Sequence, residues 1–387
     1  MAFTADRRGF FRGSSGVALG TLAALRGGRA AAAEPFEVDT ERYRVRVSPI
    51  TQDLVHPWGL DFLPNGDILV TERPGRLRIV RGGTTLDPRP LKGTPRVVAS
   101  GQGGLLDVAL HPRFAANRLV YLTYAGGAIG ATFTGVARGR LGAAGLDGLE
   151  QIFQSRPTVN STGHYGSRVV FDGNGHLFVS VGDRKEMERA QRRRETNGKI
   201  VRLREDGRVP SDNPFVGREG VRPEIWALGI RSPQGLALQP GTGRLWECEH
   251  GPRGGDEVNI IRRGRNYGWP VITYGVDYDG TPIGEGTAKP GLEQPVRYWT
   301  PSIAPSGLSF YDGDLFPAWR GNLFMGALKF ELIVRMELDG TGQKIAREER
   351  FLEGRLGRVR QVKPGPDGRL YVLTDEGDGA LWVVEPA

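Results

Sequence analysis

Trp58-Gly59-Leu60-Asp61-Phe62-Leu63-Pro64-Asn65-Gly66-Asp67-Ile68-Leu69-Val70 decides the fold. Two apolar runs flank a Pro-Asn-Gly turn, and Asn-Gly suits the left-handed backbone of a tight hairpin. The stretch therefore reads as two antiparallel strands, the first opening near a small residue. The same unit returns five more times. It recurs at Gly104–Pro112 with Leu119–Leu122, at Arg168–Gly175 with Leu177–Val179, and at Gln234–Leu238 with Gly243–Trp246. It then recurs at Ser306–Phe310 with Asn322–Met325, and at Val359–Val362 with Asp367–Val372. Six strand pairs at intervals of several tens of residues predict an all-β, six-bladed β-propeller. One unit cannot bury both faces alone, so the blades must stack around an axis. The spacings are uneven, and the surplus falls in loops, where binding chemistry is expected. Arg42–Pro49 is strand-like and is expected to pair with the C-terminal strands, closing the ring. A β-sandwich is the alternative architecture, which six similar units fit poorly.

The chain has 387 residues and a formal net charge of +8. Arg7-Arg8-Gly9-Phe10-Phe11, a weak apolar stretch over Val17–Leu25 and Ala31-Ala32-Ala33 have the layout of a twin-arginine export signal. The expected division is therefore a cleaved signal at 1–33 and a single catalytic domain at 34–387. Localisation would be periplasmic or secreted. No stretch offers about 20 consecutive apolar residues, so no stable membrane insertion is expected. Cleavage removes five arginines and one aspartate, bringing the charge to +4. The remaining basicity is densest at Arg192-Arg193-Arg194, without interleaved aromatics, and argues against a nucleic-acid partner. Cys248 is the single cysteine, so no internal disulfide and no clustered-thiol metal site can form.

A second informative run is Glu249-His250-Gly251-Pro252-Arg253-Gly254-Gly255-Asp256-Glu257, followed by Asn266-Tyr267-Gly268-Trp269-Pro270. Three glycines and a proline force an irregular backbone whose carbonyls can face outward, and the two acids add hard oxygen donors suited to calcium. A plain hairpin with solvated acids fits the same residues. His164, between Gly163 and Gly166, lacks a neighbouring His or Cys, which argues against metal ligation; its near-neutral imidazole suits proton transfer, and an exposed loop histidine fits the same residues. Asp183 follows on the far side of the same hairpin, where it either accepts the imidazole N–H or caps a turn.

Taken together, these segments resemble the soluble quinoprotein sugar dehydrogenases that use pyrroloquinoline quinone (PQQ). The resemblance rests on His56-Pro57-Trp58-Gly59, Gly101-Gln102-Gly103-Gly104-Leu105-Leu106, His164-Tyr165-Gly166-Ser167-Arg168, Gly229-Ile230-Arg231-Ser232-Pro233-Gln234-Gly235 and the two runs above. It extends to Leu373-Thr374-Asp375 and departs at Ser232, where the family often has asparagine. It implies PQQ- and Ca2+-dependent oxidation of the C1 hydroxyl of an aldose sugar to the lactone, with electrons passing to an external acceptor. By the same resemblance, His164 is the base, Asp183 its carboxylate partner and Arg231 the cation facing the quinone oxygen. Gln102, Lys329, Arg358 and Arg360 bind the cofactor, the two arginines sharing one strand face. The carbonyls of Gly251 and Pro252 hold the cofactor's calcium, and the side chains of Glu257 and Tyr267 hold a second one. Oligomeric state is left between monomer and homodimer. A calcium-dependent lactone hydrolase and a non-catalytic carbohydrate- or protein-binding propeller are the competing readings.

Overall fold

The Asn65-Gly66 hairpin forms as its sequence implies. Gly66 takes φ 85°, the Leu63 amide donates to the Asp67 carbonyl at 2.8 Å, and Leu60 and Phe62 stand opposite Val70 and Ile68. The computed structural model describes residues 33–387; the export signal expected at 1–33 lies outside the described residues but for Ala33.

In chain order the strands are β1 (Phe36–Asp39), β2 (Arg44–Leu54), β3 (Pro57–Phe62), β4 (Ile68–Glu72), β5 (Arg76–Arg81), β6 (Thr85–Leu86), β7 (Leu105–Leu110), β8 (Leu119–Ala128), β9 (Ala131–Leu141), β10 (Leu146–Gln154), β11 (Val169–Phe171), β12 (His176–Val181) and β13 (Lys199–Arg204). They continue as β14 (Ile225–Leu228), β15 (Pro233–Leu238), β16 (Leu245–Glu249), β17 (Asp256–Ile261), β18 (Arg297–Trp299), β19 (Pro305–Phe310), β20 (Leu323–Ala327), β21 (Leu332–Leu338), β22 (Ile345–Phe351), β23 (Val359–Pro364), β24 (Leu370–Thr374) and β25 (Gly379–Pro386). They build a six-bladed β-propeller. Five blades are four consecutive strands, from β3–β6 to β19–β22, and the sixth has the order β1-β2-β25-β24-β23. No helix among the described residues is long and apolar enough to cross a membrane.

Ring closure follows the expectation. β2 lies antiparallel to β25, with Val47 opposite Val384 and Pro49 opposite Trp382. Each sequence repeat is the inner strand pair of one blade. Between blades the apolar faces pack in layers, such as Leu69, Ile79 and Leu122 against one another, or Trp246, Phe310 and Met325. Burial of these faces is the main stabilising term.

The inner strands also aim the site. In five of the six inner pairs the register slips where the first strand leaves the channel: Pro57/Leu60, Leu105/Val108, Pro233/Gly235, Pro305/Leu308 and Val359/Gln361. A bulge breaks the period-2 alternation and redirects a side chain. Trp58, Leu106, Gln234 and Arg360, each within one of these slips, all line the central cavity. Glycines let the inner strands approach closely: a Cβ on Gly59 would stand 2.5 Å from Asp107 Oδ1, and one on Gly235 2.5 Å from Leu308 Cβ.

Candidate active site

His164 precedes β11 in a turn at φ 51°, a conformation that a non-glycine residue holds only at a cost of about 1–3 kcal/mol. Its amide donates to Gln102 Oε1 at 2.7 Å, and its Nδ1 lies 2.6 Å from Asp183 Oδ1. Asp183 follows β12. Its Oδ1 also accepts the Lys185 amide at 2.8 Å, and its Oδ2 accepts Trp269 Nε1 at 2.8 Å. Three donors converge on one carboxylate. The proton of the neutral imidazole therefore sits on Nδ1, and Nε2 keeps its lone pair. Burial lowers the His164 pKa, and Arg231 and Lys185 add to that, against the upward pull of Asp183. The ring is thus an unprotonated base at neutral pH.

Arg231 is tied to the dyad through the main chain, its carbonyl accepting the Asp183 amide at 2.8 Å. Its own amide donates to Glu249 Oε2 at 2.5 Å. The side chain reaches the carbonyls of His250 and Gly251 at 2.9 and 2.8 Å and lies 5.3 Å over the Trp269 ring. Glu249 and Trp269 had no assigned role in the sequence reading. Their partners lie 18 and 86 residues away in the chain, which no local signal reports.

A cavity of about 160 Å³ on the axis, lined by Trp58, Arg73, Gln234, Arg358 and Arg360, adjoins a space of about 700 Å³ against His164, Arg231, Pro252, Tyr278 and Lys329. Gln102 and His250 face both. The pairing of Arg358 with Arg360 on one strand face is corrected. β23 begins at Val359 and slips before Gln361, so Arg358 stands outside the strand. Arg360 is buried in an ion pair with Asp375, yet it lines the same cavity as Arg358. Lys329 and Arg358 are exposed and form no ion pair among the described residues. Two unpaired cations plus Arg231 around a cavity of this size fit a polycarboxylate such as PQQ.

The acidic loop is also revised. Asp256 and Glu257 open β17 instead of lying in the loop. Asp256 is a clamp: it accepts the Gly251 amide at 2.8 Å, the Ser302 hydroxyl at 2.6 Å, and the Ile303 and Ala304 amides at 2.7 and 2.8 Å. Tyr267 lines a small cavity with Glu249 and Glu257, but its hydroxyl donates to the Ile260 carbonyl at 2.6 Å and accepts the Arg262 amide at 2.7 Å. That hydroxyl is therefore not a free ligand. Among the described residues, no group of three or more His, Cys, Asp or Glu is arranged to hold a metal ion. Even so, Glu247 Oε1 and Asn259 Oδ1 are buried without a donor. Burial and mutual repulsion raise the carboxyls of Glu247 and Glu249 well above their ordinary range, and burial pushes Glu257 up to about 7. Acceptor oxygens lacking positive charge fit a hard cation completed by carbonyls and water. Asp375, which lines the central cavity, is paired with Arg360, and the buried Asp107 with Arg168.

The Glucose / Sorbosone dehydrogenase family profile matches residues 54–383. The aldose sugar dehydrogenase YliI of Escherichia coli (strain K12) is 46% identical over 348 residues, 88% of this chain and 93% of that relative. The crystal structure of the soluble aldose sugar dehydrogenase from Escherichia coli in the apo form matches with a TM-score of 0.85 and 46% identity, covering 89% of this chain and 100% of that one. The PQQ-bound form of aldose sugar dehydrogenase from Streptomyces coelicolor matches with a TM-score of 0.74 and 29% identity, covering 88% and 98%. Fold and site thus define a propeller of the sugar dehydrogenase class. The chain belongs to the glucose/sorbosone dehydrogenase family.

Proposed function

We propose that this protein oxidises the C1 hydroxyl of an aldose to the lactone, using PQQ and calcium and passing the electrons to an external acceptor. The observation that carries this reading is the His164–Asp183 dyad, held at 2.6 Å, beside a cavity to which Arg231, Lys329 and Arg358 bring positive charge. When bound, PQQ accepts the hydride leaving C1 and calcium acts as a Lewis acid on the quinone.

His164 Nε2 takes the proton from the C1 hydroxyl, and Asp183 stabilises the imidazolium that results. Arg231 offers a fixed cation where negative charge develops. Lys329 and Arg358 bind carboxylates of the cofactor. Gln102 fixes the His164 main chain and faces the same space, so it orients what binds there. The Pro252 carbonyl, and the lone pair of the Gly251 carbonyl that the Arg231 guanidinium leaves free, would serve the cofactor's calcium, and Glu257 would serve the second ion. The same reading has the mature chain exported by its twin-arginine-type signal, so that oxidation takes place in the periplasm or outside the cell.

The test is reconstitution of metal-stripped protein with PQQ and calcium, followed by dye reduction with a panel of aldoses. Turnover dependent on both additions is expected. No cofactor-dependent turnover of any aldose would overturn the assignment.

A further inference from the structure

Arg184 follows Asp183 in the chain, and Tyr165 follows His164. The two side chains stack, with the Arg184 guanidinium carbon 3.5 Å from the centre of the Tyr165 ring. Arg184 is 1% exposed and Tyr165 2%. Both are bound to the same two oxygens. Arg184 Nη2 donates to Thr132 Oγ1 at 2.8 Å and to the Ser161 carbonyl. Tyr165 Oη donates toward the same pair at 3.1 and 3.2 Å. Thr132 belongs to β9, and its own hydroxyl donates to the Ser161 carbonyl at 2.8 Å, so the group is anchored in the second blade.

Stability does not explain this arrangement. Arg184 Nε and Nη1 are buried with no hydrogen-bond partner, and no carboxylate pairs with the guanidinium among the described residues. A buried cation with no direct ion pair, on which Asp183 acts only from beyond contact, is unfavourable, and an apolar side chain of similar volume would fill the space better. The backbone is strained at the same points, with φ 51° at His164 and 63° at both Arg184 and Lys185. Strain of this kind persists only where the surroundings hold it in place.

We propose that the Arg184–Tyr165 stack is a clamp that joins the two strained turns immediately beyond His164 and Asp183 and so holds the dyad at its short distance. Arg184 is a positioning residue and touches neither substrate nor cofactor. The inference rests on the proposed role of His164 as the base. The groups facing the imidazole are Asp183, Lys185 and Arg231, so a loosened clamp alters its hydrogen bond before it alters any charge.

The test uses the full mature chain with Arg184→Gln and Arg184→Lys. Two measurements are made beside a thermal melt: the low-field proton resonance of His164 Nδ1–H, assigned by its loss in His164→Gln, and kcat and KM for an aldose after loading with PQQ and calcium. The expected result for Arg184→Gln is loss of the resonance through exchange and a kcat reduced about 10- to 100-fold at unchanged KM, the scale of a small misplacement of reacting groups. Arg184→Lys keeps the charge but neither the planar stack nor the fork, and is expected to fall with it. A resonance and kcat within twofold of the parent in Arg184→Gln would overturn the clamp. If that variant does not fold, Thr132→Val removes the shared hydroxyl while keeping its shape, and the same two readings decide. Should the parent turn over no aldose, the function reading fails, while the resonance still decides the clamp.

Discussion

Arg360 and Asp375 form a closed ion pair at the central cavity: Nε of the arginine donates to Asp375 Oδ2 at 3.1 Å, and Nη2 donates to the same oxygen. Burial works to raise the Asp375 carboxyl, but Arg360 and Arg73 prevail and hold it well below the ordinary range. The pair is therefore part of the fold. Arg360→Met would leave a buried carboxylate short of its main partner, and a loss of about 3–5 kcal/mol is expected. Denaturant unfolding of the cofactor-free protein measures it; unchanged stability would remove Arg360 from this role.

Lys329 and Arg358 are expected to behave in the opposite way. Neither side chain has a carboxylate partner among the described residues, so Lys329→Met and Arg358→Met should leave the melting temperature nearly unchanged. Each should weaken PQQ binding about 10- to 100-fold, on the basis of about 1.5–3 kcal/mol for a charge-assisted hydrogen bond. Titration of the quinone absorbance reads the affinity. Affinity equal to the parent's in both variants would show that the cofactor lies elsewhere.

Asp183→Asn separates geometry from charge. The carboxylate accepts three N–H donors, and an amide can present an acceptor to only one side. Either the Trp269 contact or the His164 contact then faces an NH2 group, and the imidazole loses its partner or changes tautomer. A fall in kcat of about 100- to 10,000-fold is expected by analogy with dyads of this kind, with PQQ affinity nearly preserved. Turnover within tenfold of the parent would exclude Asp183 as the stabiliser of the imidazolium.

The sequence made the inner strand pairs readable because alternation and Asn-Gly or Asp-Gly turns are local signals. The outer strands were not read: in β10, Leu146–Gln154, only two of nine positions are buried, so no alternating apolar stripe marks it. His164 and Asp183 could be paired because one hairpin carries both. Trp269 and Glu249 could not be, since their roles exist only once blades three and four are packed. Arg360 was misread because the slip between Val359 and Gln361 cancels the two-residue period on which strand-face arguments depend. Asp256 was misread because its composition suits a metal loop, whereas its oxygens serve backbone amides of the connection into β19.

Calcium is expected to act on stability as well as on activity. Glu247, Glu249 and Glu257 carry raised pKa values because burial, and then neighbouring carboxylates (Glu249 and Glu257 on Glu247, Glu257 on Glu249, Asp256 on Glu257), oppose their charge. A bound cation relieves that opposition, and at 100 times its dissociation constant adds about 2.7 kcal/mol. Chelation should therefore lower the melting temperature, and by less in Glu257→Gln. A melting temperature indifferent to calcium in the parent would argue against the second ion.

The acid limb of the rate profile tests the state of His164. Its folded pKa lies below the ordinary 6.5, chiefly through burial, so the midpoint of the acid-side decline in kcat/KM should fall below pH 6.5. The stability effect has a definite sign. Between the folded pKa and 6.5 the unfolded chain binds a proton that the native ring does not, so stability rises with pH through this window. The contribution is complete above pH 6.5 and is lost as pH falls toward the folded value. His164→Gln removes the titration, so the difference in unfolding free energy between parent and variant should change across that window and be flat above it. An acid-side midpoint above pH 6.5, together with a stability difference of the opposite sign, would mean that Asp183 outweighs burial and raises the imidazole pKa.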